Sequence, residues 1–159
     1  MTQRRSRGTT AVEFAIVIAT LLVVIFGVLD LSRIVYLRMT LEEGVRRAAR
    51  IAAVCPPNSP LIKKAALFQD SAAQGVAIAG ATLENVNVIY LNESGLLVDP
   101  LSQFTSVRFV RVSIDGVSLS LFIPFFTGVF APTNISSTTS AESLGVLPAT
   151  GSSVPLPCN

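Results

Sequence analysis

The chain has 159 residues and a formal net charge of +2, from 12 Lys and Arg against 10 Asp and Glu. Half of its residues are hydrophobic, 14% are charged and none is His, whereas about a quarter of an ordinary soluble domain is charged. The composition excludes His-dependent nucleophiles, bases and metal ligands, a disordered chain and a strongly basic nucleic-acid binder. An apolar excess in so short a chain predicts a membrane segment.

The N-terminal region contains a candidate membrane-spanning helix. Residues 11–29 form an apolar run of 19 with one charge, Glu13. At 1.5 Å per residue the run extends about 28 Å, close to the thickness of the hydrocarbon layer. Three arginines and no acid precede it: Arg4, Arg5 and Arg7. Because positive flanks stay in the cytoplasm, the N-terminus is predicted inside and the rest translocated.

The apolar run allows three interpretations. A secretory signal peptide needs a small-residue cleavage site after the run, but residues 30–33 read DLSR. An uncleaved signal anchor is the second interpretation. The third depends on Glu13, because an acid in a membrane segment is by default a functional residue. The simpler explanation for Glu13 is a place at the headgroup level, where the helix dipole favours an anion.

Glu13 lies five residues after Gly8, and Gly8 ends a short basic leader. This arrangement resembles the type IV prepilins. Residues 7–15 (RGTTAVEFA) more specifically resemble the TadE-like minor pseudopilins of the tight-adherence (Tad/Flp) type IV pilus system. The likeness continues through residues 26–33 (FGVLDLSR) and weakens over residues 43–50. Two positions depart from the common pattern, since many relatives have Pro in place of Ala19 and Glu in place of Asp30.

The resemblance implies that a prepilin peptidase, an aspartyl protease of the membrane, cuts after Gly8 and makes Thr9 the new N-terminus. A Gly before the cut leaves the peptide bond unhindered. The resemblance also implies that Glu13, followed by Phe14, faces the terminal ammonium of another subunit and sets the register of assembly. A charge in a low-dielectric environment is tolerable mainly when it is paired.

The same resemblance implies the partners and the location. The partners are the prepilin peptidase, other pilins and pseudopilins, the inner-membrane assembly platform of the pilus and the lipid bilayer. The location is the bacterial inner membrane, with a single span, a cytoplasmic N-terminus and a periplasmic or extracellular C-terminal domain. Incorporation into a pilus is a further expectation.

The helical pattern continues beyond the apolar run. Apolar residues recur with a period near 3.6 as far as Ala52, and no Pro occurs before Pro56. This predicts one helix from about Thr9 to Val54, about 69 Å long. Residues 1–8 form the leader, residues 9–30 the transmembrane half of the helix and residues 31–55 an amphipathic stalk. Gly44 is a weak position within the stalk.

The rest of the chain predicts an α+β domain over residues 56–146 and an irregular tail, rich in Pro, Gly and Ser, over residues 147–159. A second helix is expected from Pro60, with Ser59 as its N-cap, to Gly80. Strands are expected at residues 84–92, 96–98, 104–115, 117–121 and 134–142. Together with the resemblance, these elements predict a pilin-like fold in which a small antiparallel sheet packs on the long helix.

Two features of the predicted domain concern its loops. Asp115-Gly116 separates two alternating runs, which predicts a hairpin turn. Residues 121–130 (LFIPFFTGVF) contain four Phe with Pro and Gly, and ten residues are too few to cross a bilayer. This stretch is either a loop that covers the core or an apolar surface that docks onto the membrane or a neighbouring subunit.

Cys55 and Cys158 are the only cysteines. In an oxidising compartment they form a candidate disulfide, which would close a loop of about a hundred residues and contribute at most about 4.7 kcal/mol. Two independent thiols are the alternative. Two Cys without His do not make a metal site.

The sequence contains no phosphate-binding loop, nucleophile elbow or acidic metal cluster. We therefore expect no cofactor, no metal, no nucleic acid and no enzymatic activity. The prediction is a minor pseudopilin that acts as a structural or assembly subunit of a tight-adherence-type pilus or a related secretion apparatus. The alternative is an uncleaved single-pass membrane-anchored binding protein of the periplasm or the cell surface.

Overall fold

A computed structural model of the chain describes residues 4–69, 78, 80–124, 127–133, 135–145 and 158, with the backbone alone for residues 4–7. The helices are α1 (Arg4–Val54) and α2 (Pro60–Ala66). The strands are β1 (Val86–Leu91), β2 (Phe109–Ile114), β3 (Leu119–Ser120), β4 (Val129–Phe130) and β5 (Ile135–Ser140). A long N-terminal helix with a small antiparallel sheet confirms the predicted α+β class.

The main sheet has three antiparallel strands in the order β1-β2-β5. Ile114 of β2 lies opposite Val86 of β1 on one side and opposite Ile135 of β5 on the other. Val110 and Val112 share a face with Ile114, and all three are buried, as their alternation predicts. The central strand therefore supplies the apolar face of the sheet.

The chain divides into two compact units. The first comprises Met1–Tyr36 with Ser120–Phe130, and the second comprises Leu37–Leu119 with Ala131–Asn159. In the second unit, the stalk part of α1 buries a stripe of apolar and small residues at helical spacing: Leu37, Leu41, Gly44, Val45, Ala48, Ala49, Ala52 and Ala53. The domain core therefore includes one face of the stalk.

Both ends of α1 follow from its neighbours in the chain. It begins at Arg4 and not at about Thr9, because Arg is a good helix former and the leader contains no Pro. It ends before Pro56, and the segment after β5 then satisfies the free carbonyls of the last turn. The Glu142 and Leu144 N–H groups donate to the Ala53 carbonyl at 3.1 and 3.2 Å.

The predicted extension of the second helix to Gly80 is wrong, because α2 ends at Ala66. Phe68 adopts a left-handed φ of 57°, and the Gln69 N–H donates to the Lys64 carbonyl at 2.8 Å. This bond belongs to a Schellman motif, which ends a helix and usually has Gly at the left-handed position. Most of the rest of the predicted helix lies outside the described residues.

The prediction of an Asp115-Gly116 hairpin is also wrong. Gly116 has the left-handed φ of 75° that such a turn needs, but β1 and β5 occupy both edges of β2 along its whole length. No edge is left for the chain that follows the turn. The Asp115 N–H instead donates to the Asn85 carbonyl at 2.9 Å, and β3 pairs with β4 in a separate two-stranded sheet.

Gly44 is the point where α1 leaves room for the end of α2 in the second unit. A Cβ at Gly44 would overlap the Ala66 carbonyl oxygen and lie 3.5 Å from the Phe68 ring. Ala is favoured over Gly by about 1 kcal/mol in an open helix. Because a backbone carbonyl cannot move aside without shifting α2, we nevertheless expect Gly44→Ala to destabilise the domain by about 1–3 kcal/mol.

Thermal unfolding of the full chain in detergent measures this effect of Gly44→Ala. The matched control is Gly27→Ala, where the new Cβ meets nothing within 4 Å. The control should unfold at the temperature of the parent chain or above it. A Gly44→Ala protein that unfolds no earlier than the control would contradict the prediction.

Candidate functional site

The first half of α1 has its apolar side chains exposed. None of its most apolar 18-residue window is buried within the chain. The exposed large apolar residues include Val12, Phe14, Ile16, Val17, Ile18, Leu21, Leu22, Val24, Ile25, Val28 and Leu29. By length and composition, α1 could cross a membrane. Exposed apolar surface on this scale is what a lipid-facing helix presents.

Hydroxyl groups along this exposed surface are satisfied within the helix. The Thr20 hydroxyl donates to the Ile16 carbonyl at 2.9 Å, and the Ser32 hydroxyl donates to the Leu29 carbonyl at 2.7 Å. Such bonds allow hydroxyl residues to face an apolar environment without an unpaired donor.

Glu13 differs from these hydroxyl residues. Its side chain is exposed, and within the described part of the chain no hydrogen bond or ion pair to its carboxylate is observed. Phe14 beside it is 65% exposed. The predicted assembly residues thus lie on the outer surface of α1, available to a group from outside the chain.

Gly8 and Thr9, the predicted cleavage site, lie in the first turns of α1 and are exposed. No heavy atom lies within 4 Å of the place where a Cβ would be on Gly8. Thr9 and Glu13 are four residues apart and therefore share one face of the helix, with their Cβ atoms about 5–6 Å apart.

Cys55 and Cys158 form a disulfide, with their Cα atoms 5.9 Å apart and 103 residues apart in sequence. Cys55 directly follows the last residue of α1 and is buried. The bond therefore ties the end of the C-terminal tail to the end of the helix. These cysteines lie at the opposite end of α1 from Gly8 and Glu13 and form no common site with them.

The sequence did not predict a cluster of side chains around Asp30. Asp30 is only 2% exposed, its Oδ1 is 3.1 Å from Arg33 Nη1, and its Oδ2 accepts a 2.7 Å hydrogen bond from the Phe122 N–H. The Arg33 guanidinium carbon lies 4.1 Å from the centroid of the Phe122 ring. The available signal was a lone acid at the end of an apolar run, but its partner is 92 residues away.

Among the described residues, two side chains have shifted pKa values, and both lie away from the Asp30 cluster in sequence. Burial raises the pKa of the Tyr90 phenol; the nearby Asn58 backbone opposes this, although it falls short of a hydrogen bond to the phenol oxygen. The pKa of Asp99 is lowered, chiefly by the Leu101 N–H and also by the Ser102 hydroxyl, which donate to its carboxylate at 3.1 and 2.9 Å. Burial and short-range hydrogen bonds therefore account for both pKa shifts.

The described residues contain no group of three or more potential metal ligands from His, Cys, Asp and Glu. A groove of about 390 Å³ lies between the start of α2 and β1, and Lys63 is the ionisable side chain in its lining. The lining of the groove contains neither the paired acids that general acid–base catalysis uses nor the contact between a nucleophile and a base that covalent catalysis uses.

In the part of the chain that the structure describes, these features define one helix that could span a membrane and an α+β domain. Residues 8–50 match the sequence model of the TadE family, described as TadE-like protein. The resemblance is confirmed over this segment, which is just over a quarter of the chain, and the chain is TadE-like there. The match lies entirely within α1.

The comparisons with curated proteins and with solved structures gave no match.

Proposed function

We propose that the protein is a minor pseudopilin, a structural or assembly subunit of a tight-adherence-type pilus or a related secretion apparatus. The observation that carries the proposal is the TadE-like match, which begins at Gly8, the last residue of the basic leader. The exposed Glu13 supports it, because a carboxylate on a lipid-facing helix needs a partner of opposite charge.

The proposed location is the bacterial inner membrane, crossed once by α1. The three arginines of the leader favour a cytoplasmic N-terminus. The domain after the stalk would then be periplasmic or extracellular, an oxidising environment that suits the Cys55–Cys158 disulfide. The proposed partners are the prepilin peptidase, other pilins and pseudopilins and the inner-membrane assembly platform.

Cleavage after Gly8 belongs to the same proposal. The Gly8–Thr9 bond lies within the first turns of α1, so a peptidase must unwind them before it can reach the bond. Gly is about 1 kcal/mol less favourable than Ala in a helix, which makes local unwinding easier at Gly8. We propose a non-catalytic role for the cleaved protein, which begins at Thr9.

The intact mass of protein extracted from membranes tests the cleavage. We expect the parent chain to lack residues 1–8 in a host with a prepilin peptidase and to keep them in a host without it. Gly8→Leu should retain the leader, because a bulky side chain then stands beside the scissile bond. Gly27→Leu, a second α1 glycine with open space around it, is the matched control and should be processed normally.

An intact leader on the parent chain in the peptidase-containing host would contradict the cleavage. That result would favour the alternative, an uncleaved anchored binding protein.

A further inference from the structure

We propose that residues 121–124 and 127–130, here called the aromatic loop, form a second membrane contact, in which apolar side chains enter the headgroup region of a phospholipid bilayer beside α1. This inference rests on the proposed function only in requiring that α1 span the bilayer. The proposed binding partner of the loop is lipid, and the TadE-like match over residues 8–50 does not include the loop.

The loop is attached to the helix. The loop belongs to the same compact unit as the first part of α1. Asp30 and Arg33 hold Phe122 by its backbone N–H and by one face of its ring, as described above. The Leu121 N–H also donates to the Gly128 carbonyl at 3.1 Å, which closes the loop.

Two apolar side chains of the loop are exposed. Phe122 is 63% exposed and Val129 is 71% exposed. A Phe that is fixed by a buried carboxylate and an arginine but kept on the surface is not a core residue. Phe125 and Phe126 lie outside the described residues. Of the two sequence interpretations, the exposure of Phe122 favours the interaction surface.

The contact with Asp30 fixes the position of Phe122 along α1. Asp30 directly follows the 19-residue apolar run, which extends about 28 Å and matches the hydrocarbon thickness. Phe122, which is bonded to Asp30, is therefore held at the level where hydrocarbon gives way to headgroups. Aromatic rings and arginine side chains are suited to this level.

The backbone N–H of Phe122 has a hydrogen-bond partner. A loop that enters an apolar environment must satisfy its N–H groups, since each unpaired group there costs several kcal/mol. The Asp30 carboxylate accepts the Phe122 N–H, and Arg33 accompanies the negative charge. Asp30 is therefore a positioning residue that allows the start of the loop to lie against lipid.

The experiment exploits the absence of Trp from the chain. Each variant carries one Trp in the full chain, reconstituted into phosphatidylcholine vesicles with or without lipids brominated on their acyl chains. Phe122→Trp reports on the loop. Leu22→Trp, in the exposed middle of the apolar run, is the reference for insertion of α1. Phe109→Trp, a half-exposed position on β2, is the control in the other unit.

We expect brominated lipids to quench Trp at position 22 strongly, Trp at position 122 at least half as strongly, and Trp at position 109 little or not at all. Adding Asp30→Ala to Phe122→Trp should reduce its quenching at least twofold, because the loop loses its attachment. Asp30→Asn keeps an acceptor oxygen and should reduce it less.

Two outcomes would overturn the proposal for the loop. One is water-exposed emission from position 122 with no more quenching than at position 109. The other is blue-shifted emission from position 122 without quenching, which means that protein, such as a second copy of the chain, covers the ring. Absence of quenching at position 22 would instead refute the membrane span itself, so the two failures are distinguishable.

Discussion

Glu13→Ala is expected to leave the protein in the membrane but to lower its incorporation into a fibre by about 10²-fold or more. The carboxylate has no partner within the described chain and projects from an exposed apolar surface. In the proposed assembly, the ammonium of a cleaved neighbour supplies the opposite charge. Removing one member of a desolvated ion pair costs about 3–5 kcal/mol, and each 1.4 kcal/mol is about tenfold in an equilibrium constant.

Membrane insertion should not depend on this charge, because the apolar run is sufficient to cross the bilayer. The measurement compares the amount of protein in membrane and fibre fractions of the same cells. Glu13→Gln keeps the size of the side chain and should fail almost as completely as Glu13→Ala. Glu43→Ala removes an exposed acid from the stalk of the same helix and is the matched control. Normal incorporation of both Glu13 variants would refute the register role.

Replacing Cys55 and Cys158 together with Ser should destabilise the domain by about 2–5 kcal/mol. The bond spans 103 residues, and closing so long a loop removes much of the entropy of the unfolded chain. For a domain of this size, a loss of about 3 kcal/mol lowers the unfolding temperature by roughly 10–20 °C. Thermal unfolding of the full chain in detergent, followed by circular dichroism, measures the shift.

Reduction separates the loss of the bond from the introduction of two serines. The parent chain treated with a reductant should lose most of the same stability, whereas the double Ser variant should not respond to the reductant. A variant that unfolds within a few degrees of the oxidised parent would show that the domain does not depend on the bond.

Local patterns predicted the elements that depend on short stretches of sequence. The period of 3.6 and the absence of Pro up to Pro56 predicted α1 as far as Val54, where it ends. The alternation in residues 110–114 predicted the buried face of β2. A helix bonds residues four apart and a strand alternates every second residue, so both signals are contained in a short window.

The candidate residues divide in the same way. Gly8 and Glu13 could be proposed because a Glu five residues after a Gly that ends a basic leader resembles the prepilins, and this motif is local in sequence. The cluster at Asp30 could not, because its partner Phe122 is 92 residues away and no local pattern encodes that separation. The burial of Asp30 is explained only by the donor that forms a hydrogen bond with its carboxylate.

The sequence by itself determined the long helix that could span a membrane, the α+β class and the TadE-like segment, because hydrophobicity, helical period and motif spacing are local properties. Only the tertiary structure decided that Asp115-Gly116 does not form a hairpin and that α2 ends at Ala66. It also decided that Gly44 admits the end of α2 and that Asp30 holds the aromatic loop. These outcomes depend on which distant residues occupy a strand edge, a helix face or a buried carboxylate, and such competition is settled only when the whole chain packs.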